Sequence, residues 1–339
     1  MRRVAALAMV LSLTTQSLTA APLSTPPDQR RAADQTFLTG PEWFLVFSPA
    51  EYADYIKSYP PSGFPFYGHI YQFWQGYRAV SKASAEYPVN YEYQVMIWVI
   101  GTSTTVEYAV KGIYEGFVGR FTEAAAGTPD TAEDRLAEGV AQQYVAFIKK
   151  RPWYEFDFLT PLKSVWTQTG LWGDKPVRKW ERKYFLTSEY LFKAIYGWLL
   201  GKATRASYDQ PIERTFAVVD GVPAGTVWPV EVNLEQKGDD GGALISLPRY
   251  QAFTDAAEML AADGLTFREI AGNRGDILVT VVAADSAPPA RVGRLIYRQP
   301  ILTQPGFSRL ALVYSIANLA PALRAFAEAG IKVEHIYDF

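Results

Sequence analysis

The chain contains no cysteine and only two histidines, His69 and His335, among its 339 residues. The first absence excludes disulfides, thiol catalysis, cysteine-ligated zinc and iron–sulfur clusters. The second excludes a multi-histidine metal site. No Gly-x-Ser-x-Gly elbow, phosphate-binding Walker loop or Gly-x-Gly-x-x-Gly turn is present, so the common signatures of hydrolase, nucleotide and dinucleotide chemistry are missing. An excess of one charge is missing too: 33 basic residues face 35 acidic ones, which gives no global attraction to nucleic acid. Hydrophobic residues make up 49% of the chain and charged residues 20%, the balance of a globular protein with a core rather than of a disordered one.

The first residues have the grammar of an export signal. Arg2 and Arg3 precede the apolar run Val4–Leu13, and the small and polar stretch Thr14–Ala21 follows. That run is half of the roughly 20 residues needed to cross a bilayer, so residues 1–20 are expected to be a cleaved signal, cut after Ala20 or Ala21, rather than an anchor. Its removal takes away two arginines and no acid and moves the formal charge from −2 to −4. No cysteine follows to carry a lipid, which excludes a bacterial lipoprotein. The expected location is the periplasm, with peripheral contact to a membrane. Residues 21–35, with Pro22, Pro26 and Pro27, are expected to form an extended tail.

The remainder divides into two grammars. Residues 36–208 hold 38 of the 49 aromatic residues and eight of the nine tryptophans. Tyr67, Ile70, Tyr71, Trp74 and Tyr77 recur at helical spacing, as do Leu136, Val140, Tyr144, Phe147 and Ile148 after a capping-box-like start at Thr131–Asp134. Pro152 ends that second helix. Segments 41–59, 90–119 and 157–170 are also expected to be helical, and Ser188 is a candidate cap for a helix carrying Leu191, Ile195, Trp198 and Leu199. From residue 212 short β-branched runs replace the helical stripes: 215–219, 226–234, 243–247, 266–270, 277–282, 294–301, 309–315 and 331–337. Helices at about 249–263 and 319–329 interrupt them. The fold class is therefore α+β: an aromatic-rich, all-helical N-terminal domain over residues 36–208, and a ferredoxin-like α+β domain over residues 212–339, with strand 277–282 between two helix-bearing units.

The last segment, Ala320-Pro-Ala-Leu-Arg-Ala-Phe-Ala-Glu-Ala-Gly-Ile-Lys-Val-Glu-His-Ile-Tyr-Asp-Phe339, resembles the final helix and strand of ACT-type small-ligand modules. The turn before its helix reads Asn318-Leu-Ala-Pro321 where those modules carry Pro-Gly or Gly, so the resemblance implies the fold and not amino-acid binding. The helical half is similar to exported bacterial proteins without an assigned role.

Three constellations carry the functional expectations. Glu107, Lys111 and Glu115 lie four residues apart in the most apolar stretch, Val95–Gly119, and form either an exposed ion-paired helix face, a line of functional charges in a membrane, or, at Glu107, a carboxylate inside an aromatic pocket. Lys175, Arg178, Lys179, Arg182 and Lys183 put five cations beside Trp172 and Trp180 ahead of the apolar run Tyr190–Leu200, the composition of a contact with anionic head groups, or else of a solvated helix face. The aromatic belt around His69, Tyr71 and Trp74 is a candidate wall for a lipid tail or other apolar ligand, or is simply core. Glu155 and Asp157 are the best carboxylate pair for a glycosidase, without a spacing signature. The leading expectation is a non-catalytic envelope protein that binds a membrane surface or an apolar ligand, with no cofactor and no metal. Two alternatives stay open: an enzyme using carboxylates and tyrosines on an apolar or sugar substrate, and a structural partner in an envelope complex.

Overall fold

A computed structural model describes residues 23–32, 39–127, 131–207, 213–286 and 293–337. The expected signal segment and its cleavage site lie outside the described residues, as does the expected domain boundary at 208–212. The protein is α+β, with a helical N-terminal half followed by antiparallel sheets.

The helical half comprises α1 (Thr39–Glu42), α2 (Phe44–Tyr55), α3 (Phe66–Ala83), α4 (Tyr91–Tyr114), α5 (Arg120–Ala126), α6 (Ala132–Ile148), α7 (Leu159–Thr167) and α8 (Pro176–Ser207). Local chemistry sets several of the starts. Asn90 accepts from the Tyr93 amide at 2.8 Å to begin α4, and Thr131 and Asp134 form a reciprocal capping box at the head of α6. Between α4 and α5 the chain stays helical but widens into a π-turn over Glu115–Gly119. One expectation is corrected here. No helix begins at Ser188, because α8 starts at Pro176, where a missing N–H costs nothing, and runs straight through the basic segment.

The C-terminal region is one structural unit used twice. β1 (Arg214–Asp220), β2 (Asn233–Lys237), β3 (Ala243–Pro248), α9 (Gln251–Ala262) and β4 (Thr266–Ile270) form a sheet of order β2-β3-β1-β4. β5 (Asp276–Ala284), β6 (Arg294–Pro300), β7 (Phe307–Ser315), α10 (Ile316–Glu328) and β8 (Lys332–Ile336) repeat it as β6-β7-β5-β8, every neighbouring pair again antiparallel. Even the irregularities match. The register shifts at Val218/Val219 and Thr280/Val281 occupy equal places in β1 and β5, and those at Leu234/Gln236 and Leu295/Tyr297 do so in β2 and β6. The Ala271 amide donates to Phe216 O, and its counterpart Tyr337 donates to Leu278 O.

Each unit contains a split β-α-β element, with β3 and β4 flanking β1, and β7 and β8 flanking β5. The ferredoxin-like expectation is therefore corrected in its distribution: the two elements sit in two sheets rather than sharing one around residues 277–282. The expected strand 226–234 shrinks to β2, because Pro229 cannot donate to a ladder and residues 223–232 close turns instead, with Val232 N–H on Pro229 O.

α9 and α10 pack on each other, and each also packs on the last strand of the other unit, so both units share one apolar core. The outer face of the second sheet, with Leu278, Ala311, Val313 and Tyr337, is buried under Trp43, Phe44, Phe47 and Phe73 of the helical half. Polar contacts fix this junction. Gln72 donates to Pro300 O at 2.7 Å, Gln299 donates to Gln72 O at 2.8 Å, and Trp43 stacks on His335 with ring centroids 3.5 Å apart. Buried Arg309 reaches from β7 to Glu51 of α2 and Glu334 of β8 while its guanidinium lies over the Phe47 ring. The outer face of the first sheet is covered differently. Leu23 seats on Val218 and Leu244, the Thr25 amide donates to Glu269, and the Arg31 amide donates to Ala271 O. The described part of the expected tail is thus a strap on the sheet.

Both units turn from helix to last strand through a glycine with positive φ, Gly264 at 90° and Gly330 at 64°. Space is open around each, so only backbone strain opposes a side chain there. Gly264→Ala and Gly330→Ala are each expected to cost about 1 kcal/mol in urea unfolding; a neutral result at either position would show that its turn is not constrained.

Candidate functional site

α4 and α8 run antiparallel, joined by long side chains. Going up α4, Ser103 meets Tyr196 (3.1 Å), Glu107 meets Lys193 (3.3 Å), Lys111 meets Glu189 (2.6 Å) and Glu115 meets Arg182 (2.9 Å), so each step along α4 falls on an earlier residue of α8. From Val95 to Gly119 and from Pro176 to Leu199 the charges point into this seam and into the bundle behind it.

They form three groups. Lys111 and Lys193 each bridge Glu107 and Glu189. Burial pushes both carboxyls upward, but the two ammonium groups outweigh it and hold each at about 2. Arg182 makes a two-pronged bond to Glu115 and also holds Glu181, while Arg178 donates to Thr122, Glu181 and Asp134 and to Gly119 O, a carbonyl of the π-turn. Burial opposes the charge on Arg182, and the carboxylates of Glu115 and Glu181 outweigh it. Lys179 and Lys183 share Glu133, a fully buried carboxylate, and donate their other protons to Thr169 and, from Lys183, to Val165 O.

With the charges turned inward, the outward surface is uncharged. Every exposed residue between Glu92 and Arg120 is uncharged, including Val95, Trp98, Val99, Val106, Val110, Ile113 and Phe117. On α8 the same holds from Pro176 to Leu199, through Val177, Trp180, Tyr184, Leu191, Phe192, Ile195, Trp198 and Leu199. At 1.5 Å per residue the α4 stripe is about 40 Å long. Exposed tryptophan and tyrosine lie towards its two ends, Tyr91, Trp98 and Trp198 at one and Trp172, Trp180 and Tyr184 at the other, while Val106, Val110, Ile113, Leu191 and Ile195 occupy the middle. Near the first end Tyr91, Val95, Trp98 and Val99, with Gln94, Thr102 and Ser103 as polar groups, border a shallow, solvent-open hollow on the outer side of α4. Exposed apolar patches of this extent mark interaction sites.

The sequence candidates separate accordingly. Trp172 and Trp180 lie on the exposed face, and Lys175 is half-buried. Arg178, Lys179, Arg182 and Lys183 do not reach solvent, so the expected contact of these cations with head groups is corrected: each is engaged by acids inside the bundle. Likewise Lys111 and Glu115 belong to the interior network rather than to a solvated face, and Glu107 sits between two lysines rather than in an aromatic pocket. His69, Tyr71 and Trp74 do not line a common cavity. Tyr71 is exposed, and the half-buried Trp74 donates to Thr105 at 3.0 Å. His69 is fully buried, its Nδ1 2.9 Å from Ser48 Oγ and its Nε2 3.5 Å from Glu51, and burial followed by the nearby Arg309 charge lowers its pKa to about 3. Ser48, His69 and Glu51 repeat the residue types of a hydrolase triad, but Ser48 and His69 have no exposed surface for a substrate to reach. Asp157 caps α7 through Leu159 and Thr160 and is committed to that role. Among the described residues no group of acids and histidines is arranged to hold a metal, and no helix is long and apolar enough to cross a membrane. No known protein family, curated protein or solved structure matches this chain.

The paired acids make stability depend on pH in a defined direction. Glu107 and Glu189 titrate lower in the folded chain than in the unfolded one, so their contribution is present above about pH 4.5 and disappears as pH falls towards 2. Urea unfolding across that window should show this loss. In the double variant Glu107→Gln/Glu189→Gln stability is lower at neutral pH and the difference from wild type shrinks on acidification; a constant difference would contradict the assignment.

Proposed function

We propose that this is a non-catalytic envelope protein that docks on a membrane by laying the α4–α8 face into the apolar boundary of the bilayer. One observation carries the reading: from Val95 to Gly119 and from Pro176 to Leu199 the charged side chains are paired inward and the exposed positions are uncharged and mostly apolar, the reverse of a helix pair built to face water. The placing of tryptophan and tyrosine towards the ends supports it, since these rings favour the polar–apolar boundary. Each half-exposed valine, leucine or isoleucine removed from water contributes on the order of 1 kcal/mol, and the nine such side chains named above, with the aromatic rings between them, together outweigh the cost of immobilising the protein.

The docking is in the plane of the surface rather than across it. The other sides of the helical half expose charge at Arg78, Arg135 and Lys163, which a spanning orientation would bring into hydrocarbon. The leader-like residues 1–20 support export, which puts the contact on the periplasmic side. The paired sheets then stand in water as the part of the protein open to other interactions.

Because the cations of the basic segment are buried and exposed Lys202, over the Trp198 ring, and Arg120 stand only at the margins of the face, binding needs no anionic lipid. The mature chain is expected to float with purely zwitterionic vesicles at low and high salt alike. Ile113→Asp/Ile195→Asp should weaken that binding at least tenfold with the circular dichroism spectrum unchanged. Failure of the wild type to float overturns the reading, and a stable lipid-free dimer that buries Ile113 and Ile195 assigns the face to a second copy of the chain instead.

A further inference from the structure

Where the helical half is seated on the second sheet, one buried acceptor has no donor. Gln72 of α3 is only 4% exposed. Its side-chain N–H donates to Pro300 O at 2.7 Å, which fixes the other terminal atom as the oxygen, because a carbonyl can only accept. Its backbone carbonyl accepts from the Gln299 amide at 2.8 Å. The side-chain oxygen Oε1 is buried and meets no protein donor. In folded chains such atoms are satisfied, by protein or by ordered water, in the large majority of cases. Beside it lies a small cavity where α3 meets β6, bordered by Gly40, Phe44, Gln72, Gly76, Tyr297 and Gln299. It leaves about 10 Å³ for the centre of a water-sized sphere, the room of one water molecule. Gly76 borders this space from the middle of α3, where alanine would favour the helix. A Cβ built at Gly76 would lie 3.6 Å from Gln299 Nε2 and 3.8 Å from Tyr297 Cε1, ordinary contact distances. There is room for a methyl group, and the sequence does not put one there.

We infer that this cavity is the site of one ordered water, which donates to Gln72 Oε1. The molecule must be small enough for the space and must carry a proton for an amide oxygen, and water meets both demands. The Tyr297 phenol and the Gln299 amide border the same space from β6 and supply its remaining bonds. The water thus joins α3 to β6 where the Gln72–Pro300 and Gln299–Gln72 bonds already cross. The seat of the helical half is then a polar, hydrated seam beside the dry packing of Trp43, Phe44 and Phe73 on the sheet. This site lies apart from the α4–α8 face and is independent of what that face docks on.

Gly76→Ala tests this by the sign of its effect in urea unfolding of the full chain. If the space holds nothing, alanine fills it and favours the helix, and the folding equilibrium constant rises, by about two- to fivefold. If the water is bound, the methyl group displaces it and leaves Gln72 Oε1 buried without a donor, and the constant is expected to fall by about threefold or more. Gln72→Met removes the acceptor, so in that background Gly76→Ala is expected to raise the urea midpoint instead. Oxygen-17 relaxation dispersion, which counts long-lived internal waters, should find one fewer in Gly76→Ala than in wild type. A Gly76→Ala variant more stable than wild type, or one that keeps every long-lived water, overturns the inference. A loss of stability of equal size in the wild-type and Gln72→Met backgrounds overturns it too, because the methyl group then acts by a clash that does not involve the acceptor.

Discussion

The inward pairing of charge between α4 and α8 is the constraint on which the helical half depends. Arg182 set between Glu115 and Glu181, and Glu133 set between Lys179 and Lys183, bring ions out of water and tolerate it only because nearly every donor finds an acceptor. A buried ion pair adds little net stability, yet losing one partner strands the other at a cost of several kcal/mol. The network therefore acts on register more than on stability. Sliding α8 against α4 by one turn would break the Glu107, Lys111 and Glu115 contacts together, so the two helices have one alignment. That alignment turns every apolar side chain of the outer stripe to the same side.

The second constraint is the way the duplicated unit is divided in use. Both sheets present one face to the shared core around α9 and α10 and must cover the other. The second sheet is covered by the helical half, with Trp43 on His335 and Arg309 reaching across to Glu51; the first is covered by a single short strap around Leu23. The same architecture thus serves as a mount for the helical half in one copy and, among the described residues, carries only the strap in the other. The Arg309 contact joins α2 directly to β7 and β8, so the bundle that positions the apolar face is seated on the sheet region rather than tethered to it by the chain connection alone.

Much of this was legible where the signal is local. Thr131 and Asp134 announce the start of α6 because a capping box needs only four consecutive residues, and the β-branched runs at 215–219, 243–247 and 277–282 are strands because their pattern is continuous. The basic segment shows where legibility ends. Lys175, Arg178, Lys179, Arg182 and Lys183 are spaced as one helix face, but spacing states only that they share a side and not whether that side meets water. Their partners Glu115, Glu123, Glu133 and Asp134 lie some 45 to 70 residues upstream, and no local rule joins them. The complementary stripe of valines on α4 was visible for the same reason as apolar sequence and was equally silent about direction. The duplication stayed hidden because the two units share a fold and bulge positions while retaining few identical residues beyond the glycine that ends each helix.

The central claim is that this uncharged face leaves water for lipid, and the absence of cysteine makes it directly measurable. Single cysteines introduced at Val110, Ile113, Leu191 and Ile195 can each carry a nitroxide label, with Lys163 on the charged side and Glu235 on β2 as references. On adding zwitterionic vesicles, the four labels on the face should become more accessible to dissolved oxygen and less accessible to a polar nickel complex, while the two references do not change. If labels at Ile113 and Ile195 stay as open to the nickel complex with vesicles as without them, the face remains in water and the account is contradicted.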